Sequence, residues 1–390
     1  MDGYLLASIA TLLFSCTLGL SAQIKTEVHL DKDHYVAGEP VFVVWEYTNS
    51  GSTPMPFDRF DAYCPMPTIS APSLEYAAPP VFPYPVDALV DCEAERKPLQ
   101  PGEKYLTKFL LNHRFKLSRP GKYDLTVPME RGVEALGKGN LPATENISLI
   151  LEPSGERELR KIYQPYFDAL DSDGDKGYPG RHDAVRVLAD SSAPFTESQL
   201  LRFSSDPRTG SDVQAIANEG LGRLKTPAAC ARLAELADHA ELHHQQTAIE
   251  QLGQCDDPSY MQFLFQLADR DHAMHYFAVL AAGEIGGDGA VDRLLNLASP
   301  GSLDRENAFV ALGRTGSKRA VKAIVDALPS LQEGPNGYAA LSSLTTLTHH
   351  ESREKEFGRK VQQWRQWWEK SQNEPIYKPR DWRVLLTSLN

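Results

Sequence analysis

Two periodicities divide the chain. Between Gln23 and Pro153 the runs "TEVHL", "PVFVVWEYTN", "KYLTKFLLN", "KYDLTV" and "ISLILE" are rich in β-branched and aromatic residues and are separated by Gly, Pro, Asn and Asp. Such runs are strands, and the residues between them are turns. Within "VFVVWEY", Val41, Val43, Trp45 and Tyr47 fall on one face. Alternation with a period of two buries that face, as in a sandwich of two sheets.

From Ala184 onward a longer period takes over. "AIANEGLGRL", "AIEQLGQC", "AVLAAGEIG" and "AFVALGRTG" align without gaps on Gly222, Gly253, Gly283 and Gly313, at intervals of 31, 30 and 30 residues. Five residues before each glycine stands Ala217, Ala248, Ala278 or Ala308. Eleven after it stands Leu233, Leu264, Leu294 or Ile324, and fourteen after it Leu236, Leu267, Leu297 or Ala327. Persistent columns at one period predict a stacked helical solenoid over 183–370, whose apolar columns are buried only by stacking. The small residues let neighbouring helices approach, and the glycine is expected to end each first helix at a tight turn. Ala184, Ala189, Leu200 and Phe203 fit the same columns as a degenerate first repeat.

The connecting segments carry the candidate chemistry. Residues 154–182 read as a helix, "GERELRKIYQPYFDAL", followed by an acidic linker. Asp171, Asp173 and Asp175 fill the first three ligand positions of a twelve-residue calcium loop, but Lys176 stands where glycine is needed and His182 where a bidentate glutamate is needed. An interdomain linker is the expectation, and an irregular cation site the alternative. Residues 61–92 hold seven prolines, which exclude a central strand, so the segment bracketed by Cys64 and Cys92 is a loop on the sheet edge: a cover or a binding element. At the far end Trp364, Trp367 and Trp368 share one helical face and close the last repeat as a cap, with 371–390 as a tail.

The first residues change how the cysteines read. An apolar run from Tyr4 to Ala22 precedes the polar "QIKTEV", as in a signal peptide spanning 1–22. An uncleaved anchor or lipidation at Cys16 are the alternatives, and the protein would touch membrane only if the segment stays attached. Export to a periplasmic or extracellular space leaves Cys64, Cys92, Cys230 and Cys255, an even set in an oxidising compartment. Each half of the chain holds two of them, and Cys230 with Cys255 is placed to bridge adjacent repeats. A net charge of -12, with no basic cluster, argues against nucleic acid as a partner. His239, His243, His244, His272 and His275 cluster at repeat junctions without regular ligand spacing. No nucleophile–base pair, phosphate-binding glycine loop or other catalytic motif is present, and no cofactor is expected.

The strand and turn signals "LDKDHYVAGEPVFVVWEYTNSG", "LQPGEKY" and "RPGKYDLTV" resemble a bacterial Ig-like domain of the intracellular-proteinase-inhibitor type. The repeat columns resemble HEAT-like repeats, including the short type of the phycobilisome-lyase relatives. The resemblances imply an all-β Ig-like sandwich over 23–153 followed by an α-helical HEAT-like solenoid. In many such repeats an arginine stands three residues before the alanine; here that column reads Gln214, Gln245, His275 and Arg305, so a basic ladder is mostly missing. The repeated His-Glu pairs of the iron-binding hydroxylase relatives are also missing, since "HHE" at His349–Glu351 occurs once. The expected role is an exported, non-enzymatic adaptor that binds another envelope or secreted protein through a solenoid face or the loop 64–92. A proteinase inhibitor acting through the sandwich loops, and a metal-dependent module, are the alternatives.

Overall fold

The computed structural model describes residues 24–59, 69–75, 77, 95–129, 143–170, 180–206, 209–239 and 242–376. The apolar segment 4–22, Cys16, Cys64, Cys92, the aspartates 171, 173 and 175, and the tail beyond 376 lie outside them. Among the described residues no helix is long and apolar enough to cross a membrane.

Among the described residues the N-terminal half holds eight strands: β1 (Ile24–Leu30), β2 (Tyr35–Val36), β3 (Phe42–Asn49), β4 (Asp58–Arg59), β5 (Glu95–Arg96), β6 (Lys104–Leu110), β7 (Gly121–Pro128) and β8 (Thr144–Glu152). They form one sheet in the order β1-β3-β6, a second in the order β2-β8-β7, and a β4-β5 pair. The first sheet is antiparallel throughout, with Trp45 opposite Val28 and Thr107. Val43, Trp45 and Phe109 from one sheet and Leu125, Val127, Leu149 and Leu151 from the other share a single core. Trp45 lies at its centre, fully buried, and its indole N–H donates to Pro128 O at 2.8 Å. Emptying such a site typically costs about 3–5 kcal/mol.

Strand alternation fails at one informative place. Phe42 and Val44 should face solvent, yet both are buried. Phe42 and Leu110, opposite each other across β3 and β6, belong to the hydrophobic core of the helices. The outer face of the sheet is covered there, so β3 begins with buried residues on both faces.

The helical half opens with α1 (Glu156–Leu170). Among the described residues six pairs follow: α2 (Arg181–Asp190) with α3 (Glu197–Phe203), α4 (Ser211–Leu224) with α5 (Pro227–His239), α6 (Leu242–Leu252) with α7 (Ser259–Arg270), α8 (His275–Ile285) with α9 (Asp288–Leu297), α10 (Arg305–Arg314) with α11 (Lys318–Ala327), and α12 (Pro335–Thr348) with α13 (Phe357–Ser371). The first members α2, α4, α6, α8, α10 and α12 pack one on the next in a continuous row. This is a helical solenoid. Leu233, Leu264, Leu294 and Ile324 are fully buried, as are the four column alanines, and one core runs from Tyr163 to Trp364.

The glycine column acts differently from the expectation. None of Gly222, Gly253, Gly283 and Gly313 has a positive φ; the left-handed turns are made by Lys225 (φ 54°), Asp256 (φ 58°), Gly286 (φ 78°) and Gly316 (φ 64°). The column is small because the next helix leaves no room. A Cβ on Gly283 would run into the backbone carbonyl of Ala311, and one on Gly313 would stand 2.7 Å from Ser343 Cβ. Close approach, not turn geometry, selects glycine at these positions.

Candidate functional site

The sheets and the helices meet at a charged, buried junction. The turn after β6, Leu111–His113, presents Asn112 and His113 to the helical half. The carboxylate of Asp190, the last residue of α2, is completely buried there. The Nδ1–H of His113 donates to Asp190 Oδ2 at 3.0 Å, and Arg223 Nη2 from the end of α4 lies 3.1 Å from Oδ1. Arg223 also donates to the carbonyls of Asn112 (3.5 Å) and His113 (3.3 Å), and its side chain is 8% exposed. Burial alone would raise the Asp190 carboxyl, but Arg223 and then His113 outweigh it and hold the group well below the ordinary carboxylate range. One acid thus binds a donor from each side of the junction, His113 from the sheets and Arg223 from the helices.

Around this centre, further hydrogen bonds tie the β2–β3 turn to α1. Tyr163, fully buried on α1, donates its hydroxyl to Gly38 O at 2.9 Å, and Ser154 Oγ donates to Ala37 O at 2.5 Å. Burial pushes the Tyr163 phenol far up, so it acts as a neutral donor. Asn112 braces the same turn from the sheet side: Nδ2 donates to Glu39 O at 2.9 Å, and Oδ1 accepts from Val41 N at 2.9 Å. Glu39 is buried, and burial raises its pKa above the usual 4.5 despite the pairing with Lys32 at 3.3 Å. Beside it, Asp31, Lys32, Pro40, Phe42, Ile162, Pro165 and Tyr166 line a groove of about 210 Å³ between the sheet and α1.

The sequence does not announce this junction, because His113, Asp190 and Arg223 are 77 and 33 residues apart and share no motif. One available signal is Arg223 itself. It directly follows the column glycine in the helical row that the small residues pack most tightly, where an unpaired charge is costly.

The other predicted residues separate into distinct places. Cys230 in α5 and Cys255, just past α6, form a disulfide with Cα atoms 6.0 Å apart, fastening consecutive repeats. The column Gln214, Gln245, His275 and Arg305 is not a ladder. Gln214 donates to Asp206 O (2.8 Å), Gln245 to Ala237 O (3.0 Å), His275 to Ala268 O (2.9 Å) and Arg305 to Ala298 O (3.0 Å). Each residue satisfies a carbonyl at or just beyond the end of the preceding second helix, where intrahelical donors run out. The position requires an N–H donor, and charge is incidental. His275 is therefore engaged, His239 pairs with neighbouring Asp238 at 3.1 Å, and among the described residues no three His, Cys, Asp or Glu side chains converge as a metal site would require.

Of the proline-rich loop, the described residues Ile69, Ala71 and Leu74 are buried in the β core, and Ser70 bridges to Thr126. That stretch serves as a cover. Trp364 is buried in the helical core, with Trp367 and Trp368 packed partly exposed beside it, so the three close the end of the solenoid.

No protein-family model matches the chain, and no curated protein matches it. Solved structures that are similar include the complex of CpcE and CpcF of phycocyanin lyase from Nostoc sp. PCC7120, with 17% identity, TM-score 0.33 and coverage of 55% of this chain and 90% of that one. An engineered protein matches with 19% identity and TM-score 0.29 over 52% of this chain and 95% of its own. Human deoxyhypusine hydroxylase in complex with glycerol matches with 16% identity and TM-score 0.22 over 55% and 89%.

Proposed function

We propose that the protein is an exported, non-enzymatic adaptor in which an Ig-like sandwich and a HEAT-like solenoid form one rigid body that binds another protein. The observation that carries the reading is the buried junction at Asp190. A binding module needs fixed spacing between its surfaces, and a carboxylate bound from both halves opposes hinge motion between them. The stacked helices offer a long surface of the kind that solenoids use for protein partners. The disulfide between Cys230 and Cys255 suits an oxidising compartment.

The test is capture from a native envelope extract with residues 23–390 as bait, followed by crosslinking and mass spectrometry. A stoichiometric partner that survives moderate salt and crosslinks to the solenoid or the sheets supports an adaptor. A repeated blank, with tightly bound metal or small molecule in the bait instead, refutes it.

A further inference from the structure

The C-terminal cap is seated on a single imidazole. Helix α12 ends at His349 in the left-handed conformation (φ 53°), which turns the chain so that His350 enters the tryptophan cluster of α13. The His350 ring stacks on Trp367, with centroids 4.9 Å apart and planes 10° from parallel, and meets Trp364 edge-on, also at 4.9 Å. Trp364 and Trp367 pack against each other at 5.4 Å. Among the described residues His350 Nε2 is buried with no hydrogen-bond partner. The loop that carries the ring is tied to α13 by Ser352 Oγ, which donates to Gln363 Oε1 at 2.6 Å.

We propose that His350 is a pH-operated pin: its protonation in mildly acidic conditions unseats the loop 349–356 and loosens α13, uncovering the apolar end of the solenoid. The neutral ring is an apolar plate that can be stacked and left without a polar partner. The imidazolium carries an N–H at both nitrogens, and among the described residues the one at Nε2 has no acceptor where the ring now sits. Among the described residues, the carboxylates of Glu374 just beyond α13 and Glu351 on its own loop favour its protonation. Burial outweighs them and holds the histidine below its ordinary value of 6.5. The neutral ring's contribution is therefore complete above the unfolded value and is lost as pH falls through the lower folded one. Loosening α13 would expose Trp364, now 1% accessible, along with the face of Leu344 and Leu347 that lies in the same core.

Hydrogen exchange of peptides from 357–371 and indole emission, followed on the whole chain from about pH 7.5 to about pH 5, test the device. In the wild type, exchange in α13 should quicken and emission should change with a midpoint below 6.5, while α4 to α10 stay flat. His350→Phe keeps a stacked plate but cannot titrate, and should be flat throughout. A flat wild type, or the same transition in His350→Phe, overturns the proposal. Should the phenylalanine variant melt differently at neutral pH, the NMR titration of His350 Cε1–H in the wild type decides instead: a midpoint at or above 6.5 overturns the proposal and one below it supports it.

Discussion

Replacing Asp190 with asparagine should uncouple the two halves of the molecule. The substitution keeps the shape of the side chain and removes its charge. Arg223, 8% exposed, then keeps the carbonyls of Asn112 and His113 and a 3.5 Å approach to His113 Nδ1, and one amide oxygen replaces two carboxylate acceptors. Hydrogen bonds to charged groups contribute about 1.5–3 kcal/mol each, and breaking one partner of a buried ion pair costs about 3–5 kcal/mol. A loss of about 3 kcal/mol is expected, the lower end, because asparagine still accepts one bond. Removing the charge at both ends, as in Asp190→Leu with Arg223→Met, should cost clearly less than the two single changes added together, since no orphaned ion remains. Urea unfolding followed with two probes, helical circular dichroism and proteolysis of the sheet half, reads the effect. The wild type should lose both signals together, and Asp190→Asn should separate them. Acid should reproduce the loss: the folded carboxyl titrates below its ordinary 3.8, so its contribution is complete above that value and drains away as pH falls below it. The asparagine variant should lack this component. A loss under about 1 kcal/mol, as for an exposed pair, or strict additivity in the double variant, would refute the reasoning.

Three further outcomes follow from the geometry. Gly283→Ala places a methyl against the Ala311 carbonyl and should destabilise by about 1–3 kcal/mol, the usual cost of overpacking; an unchanged melting temperature would show that the helices shift freely. Reducing the Cys230–Cys255 disulfide, which closes a sequence separation of 25, should lower stability by about 2–4 kcal/mol and quicken exchange first in α5 and α6; uniform loosening would contradict a local staple. Glu39 has a folded pKa raised by burial, so its contribution is complete below 4.5 and lost as pH rises through the folded value. Glu39→Gln should therefore raise the melting temperature at neutral pH and leave it nearly unchanged in acid, and a fall at neutral pH would show that the Lys32 pair dominates.

Periodicity made much of the architecture legible. The alternation Val41, Val43, Trp45, Tyr47, the alanine column and the first leucine column describe contacts between residues close in sequence or one repeat apart, and all of them are buried as their spacing requires; in the second column only Leu267 is buried, with Leu236, Leu297 and Ala327 partly exposed. The glycine column was legible as a position but not as a cause, because a turn and a close approach select the same residue. The junction was illegible for a deeper reason. Asp190, His113 and Arg223 are polar residues on elements that sequence places far apart, and their shared burial is a property of the docked halves, not of any element alone. Phe42 shows the same limit from the apolar side. It sits on the face that alternation assigns to solvent, and only the arrival of α1 and its neighbours explains its burial.

The capping column has a consequence for how the protein can vary. Glutamine, histidine and arginine perform one task at four equivalent sites, so the stack demands a donor there and leaves formal charge unspecified. Assembly and surface electrostatics are thereby separable where the position reaches solvent, as at Gln214, His275 and Arg305, but not at buried Gln245. A partly exposed position such as Gln214 or Arg305 can be neutral or cationic while making the same carbonyl bond. The charge along the stack can vary one repeat at a time, with the scaffold underneath left as it was.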